Sequence, residues 1–261
     1  LEDWLPNRFQ PFSHGKADHV NQDRAIQPGE PEFPMSDTPP KKTWLQRFGY
    51  HFIRISSLIA FKILFRIRFE HLDRIPQSGP VLICANHQSH FDPMLIGSSS
   101  RRRMNFLAKK QLFKFRPLGW MIGFLDSIPI DREGTSASGI KATLKCLKRN
   151  EMVMMFPEGT RSPDGEMKKI LPGFCALVKR TEASLLPVGI EGAWDVWPRN
   201  RSYPLPGPKI VVVFGKPIPP ENFRDLDDQQ LVDLLDREIR ECIEAAKKIR
   251  GSKPRKVATA V

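Results

Sequence analysis

The stretch Val81-Leu-Ile-Cys-Ala-Asn86-His87-Gln-Ser-His90-Phe-Asp92-Pro93 decides how the chain is read. Val81 to Ala85 is a short apolar run bounded by polar residues, the pattern of a buried strand. Asn86 to His90 reads as a polar turn, and Pro93 suits the first turn of a helix. An imidazole, His87, and a carboxylate, Asp92, therefore meet where a strand bends into a helix. Residues five apart on a helix point about 140° away from each other, so only a turn pairs them. Two readings stay open. Asp92 can hold one ring nitrogen of His87, fixing the tautomer and freeing the other nitrogen to take a proton. Alternatively, His87 is a turn residue and Asp92 caps the helix.

Working outward, the chain alternates between short apolar runs and amphipathic segments. Strands are expected near 81–86, 104–108, 127–131, 152–156, 185–190 and 209–214, with a first one over Arg68 to Leu72. Helices are expected near 93–99, 117–124, 136–149 and 173–182. That order predicts an α/β domain, residues 68–250, with a mainly parallel central sheet flanked by helices. Residues 227–250 close it as a helix with Leu231, Leu235, Cys242, Ala246 and Ile249 on one stripe, and residues 251–261 read as a frayed tail. In such sheets functional groups gather at the carboxyl ends of the strands. Asn86-His87, Lys109, Asp131-Arg132 and Pro157 to Arg161 all fall there.

Residues 43–67 read as a separate amphipathic helix. Phe48, Phe52, Ile55, Leu58, Ile59 and Ile63 recur at spacings of three and four, with Arg47, His51, Arg54 and Lys62 on another side. Such a helix either lies in a membrane interface or packs on the core. No segment of the chain is expected to span a membrane, because the strongly apolar runs stop after about seven residues. Residues 1–42, rich in Pro and polar side chains, read as a disordered extension. Met35 looks like a natural beginning, which makes residues 1–34 a dispensable addition.

The charge is uneven. Residues 1–40 hold three Lys or Arg against seven Asp or Glu, and the remaining 221 hold 38 against 22, a net of +16. So basic a body suits anionic partners. Cys84, Cys146, Cys175 and Cys242 are far apart, which predicts buried free thiols and no metal site.

Three more blocks can carry chemistry. Phe156-Pro-Glu158-Gly159-Thr160-Arg161-Ser162 follows an apolar strand; its turn amides and Arg161 suit an anion. Lys109, ending Phe106-Leu-Ala-Lys109, and Arg132, ending Ile128-Pro-Ile-Asp-Arg132, put cations at strand ends. Leu186-Pro187-Val-Gly-Ile190 is an apolar strand broken by a proline, which by default marks a sheet edge or a bulge. No Gly-x-Ser-x-Gly nucleophile elbow and no phosphate-binding P-loop is present.

In this order the four blocks resemble the glycerolipid acyltransferase family that includes bacterial lysophosphatidic acid acyltransferases, over about residues 65–220. The resemblance implies that His87 is a general base oriented by Asp92. It deprotonates the free hydroxyl of lysophosphatidic acid, which attacks the thioester of acyl-CoA or acyl-carrier protein to give phosphatidic acid. It also implies that Glu158, Gly159, Thr160 and Arg161 bind the acceptor, with Lys109 and Arg161 on its phosphate, Arg132 supporting that charge or the donor's, and Pro187 on the donor side. No cofactor and no metal are implied. The protein would sit peripherally on the cytoplasmic face of a bacterial membrane, against an anionic lipid surface. Lys168-Lys169-Ile-Leu-Pro172-Gly173 departs from the family's Lys-Lys-Gly order, which leaves those lysines without a phosphate role. An acceptor such as a lyso-ornithine lipid is the alternative. A basic nucleic-acid-binding protein is a distant one, with no reader motif to support it. His90 is left structural.

Overall fold

The computed structural model describes residues 43–109, 127–130 and 137–251. Its strands are β1 (Arg68–Glu70), β2 (Val81–Ala85), β3 (Met104–Lys109), β4 (Ser127–Ile130), β5 (Met152–Met155), β6 (Ser184–Glu191) and β7 (Val211–Phe214). They form one seven-stranded sheet in the order β1-β7-β6-β2-β5-β3-β4. The five strands from β6 to β4 pair in parallel. β7 runs antiparallel to β6, and β1 lies parallel to β7. The helices are α1 (Trp44–Phe65), α2 (Asp92–Ser99), α3 (Ala137–Lys148), α4 (Cys175–Val178), α5 (Ala193–Val196) and α6 (Asp228–Arg250). The expected α/β class and mainly parallel sheet are therefore observed.

Sequence and position agree at the centre. β2 lies between β5 and β6 with all five residues buried. A strand covered on both faces needs a continuous apolar run, as β2, β5 and β6 have, and not an alternating one. α6 covers β6 and β7 through Leu231, Leu235, Ile239, Cys242 and Ala246. Its start is fixed by a capping box between Asp227 and Gln230, and its end by Gly251 at φ +75°.

Some expectations need correction. The helix expected at 173–182 is a 3-10 turn, Pro172–Phe174, followed by the single turn of α4. Thr181 ends it: its hydroxyl donates to Leu177 O at 2.9 Å, and the chain then enters β6. The first strand stops at Glu70 because His71 turns into the left-handed region at φ 60°. Pro187 lies in an interior strand, at a bulge. β6 advances three residues between its pairings Leu185–Ile218 and Val188–Phe214, while the opposite chain advances four. A Cβ built on Gly215 would meet Pro187 Cγ at 2.7 Å and Cys242 Sγ at 2.9 Å, so Pro187 packs under α6. The helix expected at 117–124 and both terminal segments lie outside the described residues.

α1 differs most from expectation. Phe48, Phe52, Ile55, Ile59 and Ile63 form a stripe at i, i+4, i+7, i+11 and i+15, and all are exposed. The side that packs on the domain carries Tyr50, Arg54, Ser57, Phe61 and Phe65, the same spacing shifted by two residues. Two residues are about 200° on a helix, so the faces are opposite. Tyr50, Phe61 and Phe65 are buried, and Arg54 donates to Ser98 O of α2 at 3.2 Å. The expectation of no spanning segment also changes: Arg47–Phe65 is long and apolar enough to cross a membrane by length and composition.

All four cysteines are buried free thiols, as expected. Burial pushes Cys146 and Cys242 up to about 12 and Cys175 up to about 11, so they stay protonated.

α6 approaches β6 closely at Gly189, where a Cβ would lie 2.4 Å from the Cys242 carbonyl carbon and the Ile243 nitrogen. Gly189→Ala must force α6 off β6 and is expected to cost about 1–3 kcal/mol or more. A urea midpoint equal to that of the wild type would contradict this packing.

Candidate active site

The turn after β2 is built on one carboxylate. Asp92 is the first residue of α2, and its side chain reaches back over the turn instead of capping its own helix. Asp92 Oδ2 accepts from the Gln88 and Ser89 backbone N–H groups and contacts His87 Nδ1, each at 2.7 Å. Asp92 is fully buried, and the His87 side chain keeps 18% of its surface exposed. A carboxylate only accepts, so Nδ1 carries the proton and Nε2 offers its lone pair. The His87 ring also stacks on Phe156, with centroids 3.8 Å apart and planes 10° apart. The pairing left open by the sequence is thus formed, on a ring held both edge-on and face-on.

Neighbouring strand ends brace this turn. The Asn86 amide donates to Ile190 O at 2.9 Å and accepts from Ile190 N–H at 2.7 Å, continuing the β2–β6 ladder through a side chain. Ser162 N–H donates to His87 O at 2.7 Å, and Gln88 Nε2 donates to Gly165 O at 2.6 Å. Glu158 is buried, with Oε1 accepting from His87 N–H at 2.7 Å and Oε2 from Lys168 N–H at 2.8 Å. It straps two loops together. Burial pushes the Glu158 carboxyl up to about 7, against the pull of those two N–H donors.

Gly159 takes φ +69°, and its N–H donates to Phe156 O at 3.0 Å. That amide is consequently engaged within the turn and does not face outward as the sequence suggested. Thr160 and Arg161 are partly exposed. Arg161 Nη1 is buried with no hydrogen-bond partner among the described residues. Burial and the nearby Arg199 pull the Arg161 guanidinium below its ordinary value, with Asp92 opposing. Lys109 ends β3, on the same sheet edge. Arg132 lies outside the described residues.

Sequence reasoning missed the wall after β6. His90 N–H donates to Trp197 O at 3.3 Å, Ser89 Oγ donates to the same oxygen at 2.8 Å, and the His90 ring lies 4.7 Å from that of Trp197. Burial, then Arg161, pulls the His90 imidazole below its ordinary value, while a hydrogen bond to the Arg199 backbone opposes them. These contacts tie His90 to the segment after β6. The wall has no composition signature; the two tryptophans, Trp194 and Trp197, were the available signal.

The Acyltransferase family model matches residues 66–191. The 1-acyl-sn-glycerol-3-phosphate acyltransferase of Streptococcus pneumoniae is 27% identical over 195 residues, covering 73% of this chain and 70% of its own. The enzyme of that name from Pseudomonas aeruginosa is 32% identical over 160 residues, 59% of this chain and 60% of its own. The crystal structure of PlsC, the 1-acyl-sn-glycerophosphate acyltransferase of Thermotoga maritima, superimposes with a TM-score of 0.68 at 24% identity. It covers 80% of this chain and 83% of its own, and so shares the fold.

Glu158 gives a pH signature. Its folded value, about 7, lies above the ordinary 4.5, so the folded state holds the proton more tightly than the unfolded one. Its stabilising contribution is complete below pH 4.5 and is lost as the pH rises through about 7. The stability of wild type relative to Glu158→Gln should therefore fall over that interval. Because Gln offers one acceptor for two buried donors, the substitution should itself cost about 1–3 kcal/mol. Denaturation of both proteins from pH ~4 to ~8 with no change in their difference would refute the assignment.

Proposed function

We propose that the chain is an acyltransferase of the family whose model matches residues 66–191, and that it acylates lysophosphatidic acid to phosphatidic acid with His87 as general base. The observation that carries the reading is the 2.7 Å contact between His87 Nδ1 and a buried Asp92, which leaves Nε2 as the ring nitrogen not held by the carboxylate. Nε2 takes the proton of the acceptor's free hydroxyl as its oxygen attacks the thioester carbonyl of acyl-CoA or acyl-carrier protein. The tetrahedral intermediate collapses, the C–S bond breaks, and the departing thiolate recovers the proton from the imidazolium. The thioester supplies the activation, so the step needs no metal or organic cofactor. Asp92 stabilises the imidazolium, and Glu158 positions His87 by holding its backbone. Gly159 makes the turn that presents Thr160 and Arg161 to the acceptor. Lys109, which ends β3, and Arg132 are the further cations proposed for the acceptor or donor phosphates.

The same reading places the protein at a membrane surface. A lysolipid acceptor keeps its acyl chain in the bilayer, so the enzyme must reach the interface. The exposed stripe Phe48, Phe52, Ile55, Ile59 and Ile63, flanked by exposed Arg47, His51, Lys62 and Arg66, has the composition for it. Acyl-CoA and acyl-carrier protein are cytoplasmic donors, which assigns the protein to the cytoplasmic face of a bacterial membrane as a peripheral enzyme.

Acyl transfer from acyl-CoA to lysophosphatidic acid tests the mechanism. His87→Ala is expected to lower kcat by about 10²–10⁴-fold, with Asp92→Asn also well below wild type. Wild-type rates in His87→Ala would remove the general base. A wild type that acylates a lyso-ornithine lipid but not lysophosphatidic acid would reassign the acceptor. For the membrane, Phe52→Glu with Ile59→Glu should release the protein from vesicles containing anionic lipid. Undiminished co-sedimentation would rule out the α1 stripe as the docking face.

A further inference from the structure

Arg199 stands outside the blocks that carry the sequence resemblance and eight residues past the matched domain, which ends at 191. The chain nevertheless brings it to the site by a specific route. Trp194 Nε1 donates to Pro163 O at 3.3 Å, which ties the segment after β6 to the loop after β5. The Trp197 carbonyl takes Ser89 Oγ and His90 N–H from the catalytic turn, and the Trp197 ring lies 4.8 Å from Phe91. Trp197 Nε1 donates to Arg201 O at 3.0 Å, and Arg201 Nη1 donates back to Asp195 O at 3.1 Å, closing the loop. Arg199 Nη1 then reaches Thr160 Oγ1 at 3.5 Å, next to Arg161.

The Arg199 guanidinium is thereby held at Thr160, the residue before Arg161, and Arg161 lies within reach of the charges of both Arg199 and Asp92. Arg161 Nη1 has no hydrogen-bond partner among the described residues, and Arg199 meets a neutral hydroxyl there. Asp92 is the nearby carboxylate; its Oδ2 is committed to three donors, and its Oδ1 is buried without a hydrogen-bond partner among the described residues. Like charges held close cost free energy unless an anion joins them. A phosphomonoester carries about −1.5 to −2 at pH 7, more than the single charge of a diester, and its oxygens match the guanidinium fork.

We propose that Arg199 and Arg161 form a two-arginine clamp for a phosphomonoester, and that Arg199 reads the second negative charge. It thus selects 1-acylglycerol 3-phosphate over lysophospholipids whose phosphate is a diester. The selectivity rests on the acyl-transfer reading above; the clamp itself does not.

Steady-state kinetics with 1-acylglycerol 3-phosphate and with a 1-acyl glycerophosphoglycerol diester test it. Arg199→Gln should raise KM for the monoester about tenfold or more, move KM for the diester less than about twofold, and leave the cost out of kcat. Arg199→Lys should recover part of the monoester KM, because it keeps the charge and loses the fork. A monoester KM within about twofold of wild type in Arg199→Gln would overturn the proposal. Independently of turnover, glycerol 3-phosphate should raise the Tm of wild type more than that of Arg199→Gln; equal shifts would also overturn it. Ligand-dependent stabilisation in a wild type that transfers no acyl group would fault the reaction and support the clamp.

Discussion

The site depends on one oxygen atom. Asp92 Oδ2 gathers two backbone N–H groups and His87 Nδ1 at 2.7 Å each, inside a region from which water is excluded. The two backbone bonds fix the path of the turn, and the third fixes the tautomer and plane of the imidazole. Folding the loop and orienting the imidazole are therefore one event. Converting the carboxylate to an amide would disturb both, since an amide oxygen accepts but its nitrogen donates.

Glu158 works from the other side. It holds the His87 N–H while Asp92 holds the His87 ring, so two buried carboxyl groups bracket one residue. Asp92 adds to the rise in Glu158's proton affinity, although burial is the larger cause. Asp92 favours the charged form of Arg161, while burial and Arg199 disfavour it. The His87 imidazole thus sits between two buried carboxyl groups and partly exposed cations.

The legible parts of the sequence were those governed by local rules. Val81 to Ala85 and Met152 to Met155 are continuous apolar runs because a parallel sheet buries both faces. The spacing of His87 and Asp92 excluded a helix and left the turn as the one way to pair them. Glu158 was harder to read, since nothing in Pro-Glu-Gly-Thr-Arg says that its carboxylate turns inward to backbone 71 residues away. Arg199 gave no signal at all. Its placement comes from Trp197 packing on Phe91 and from two hydrogen bonds to a single carbonyl, all long-range contacts without a periodic pattern. α1 was read with one apolar face because the second, Tyr50, Phe61 and Phe65, is visible only against its partner α2.

Phe91 joins these pieces. Its ring lies 5.3 Å from Phe61 and 5.5 Å from Phe65 of α1, and 4.8 Å from Trp197. It immediately precedes Asp92. One aromatic cluster therefore links the helix with the exposed apolar stripe, the carboxylate that orients the base, and the segment that carries Arg199. α2 completes the link, because it begins at Asp92 and holds Arg54 of α1 on its Ser98 carbonyl. Aromatic packing of this kind resists sliding, since interiors are close-packed and rings have few low-energy arrangements. Under the proposed reaction, a lipid anchored in a bilayer would have to bring its headgroup to His87, and the cluster around Phe91 would then fix the offset between the exposed α1 stripe and the imidazole.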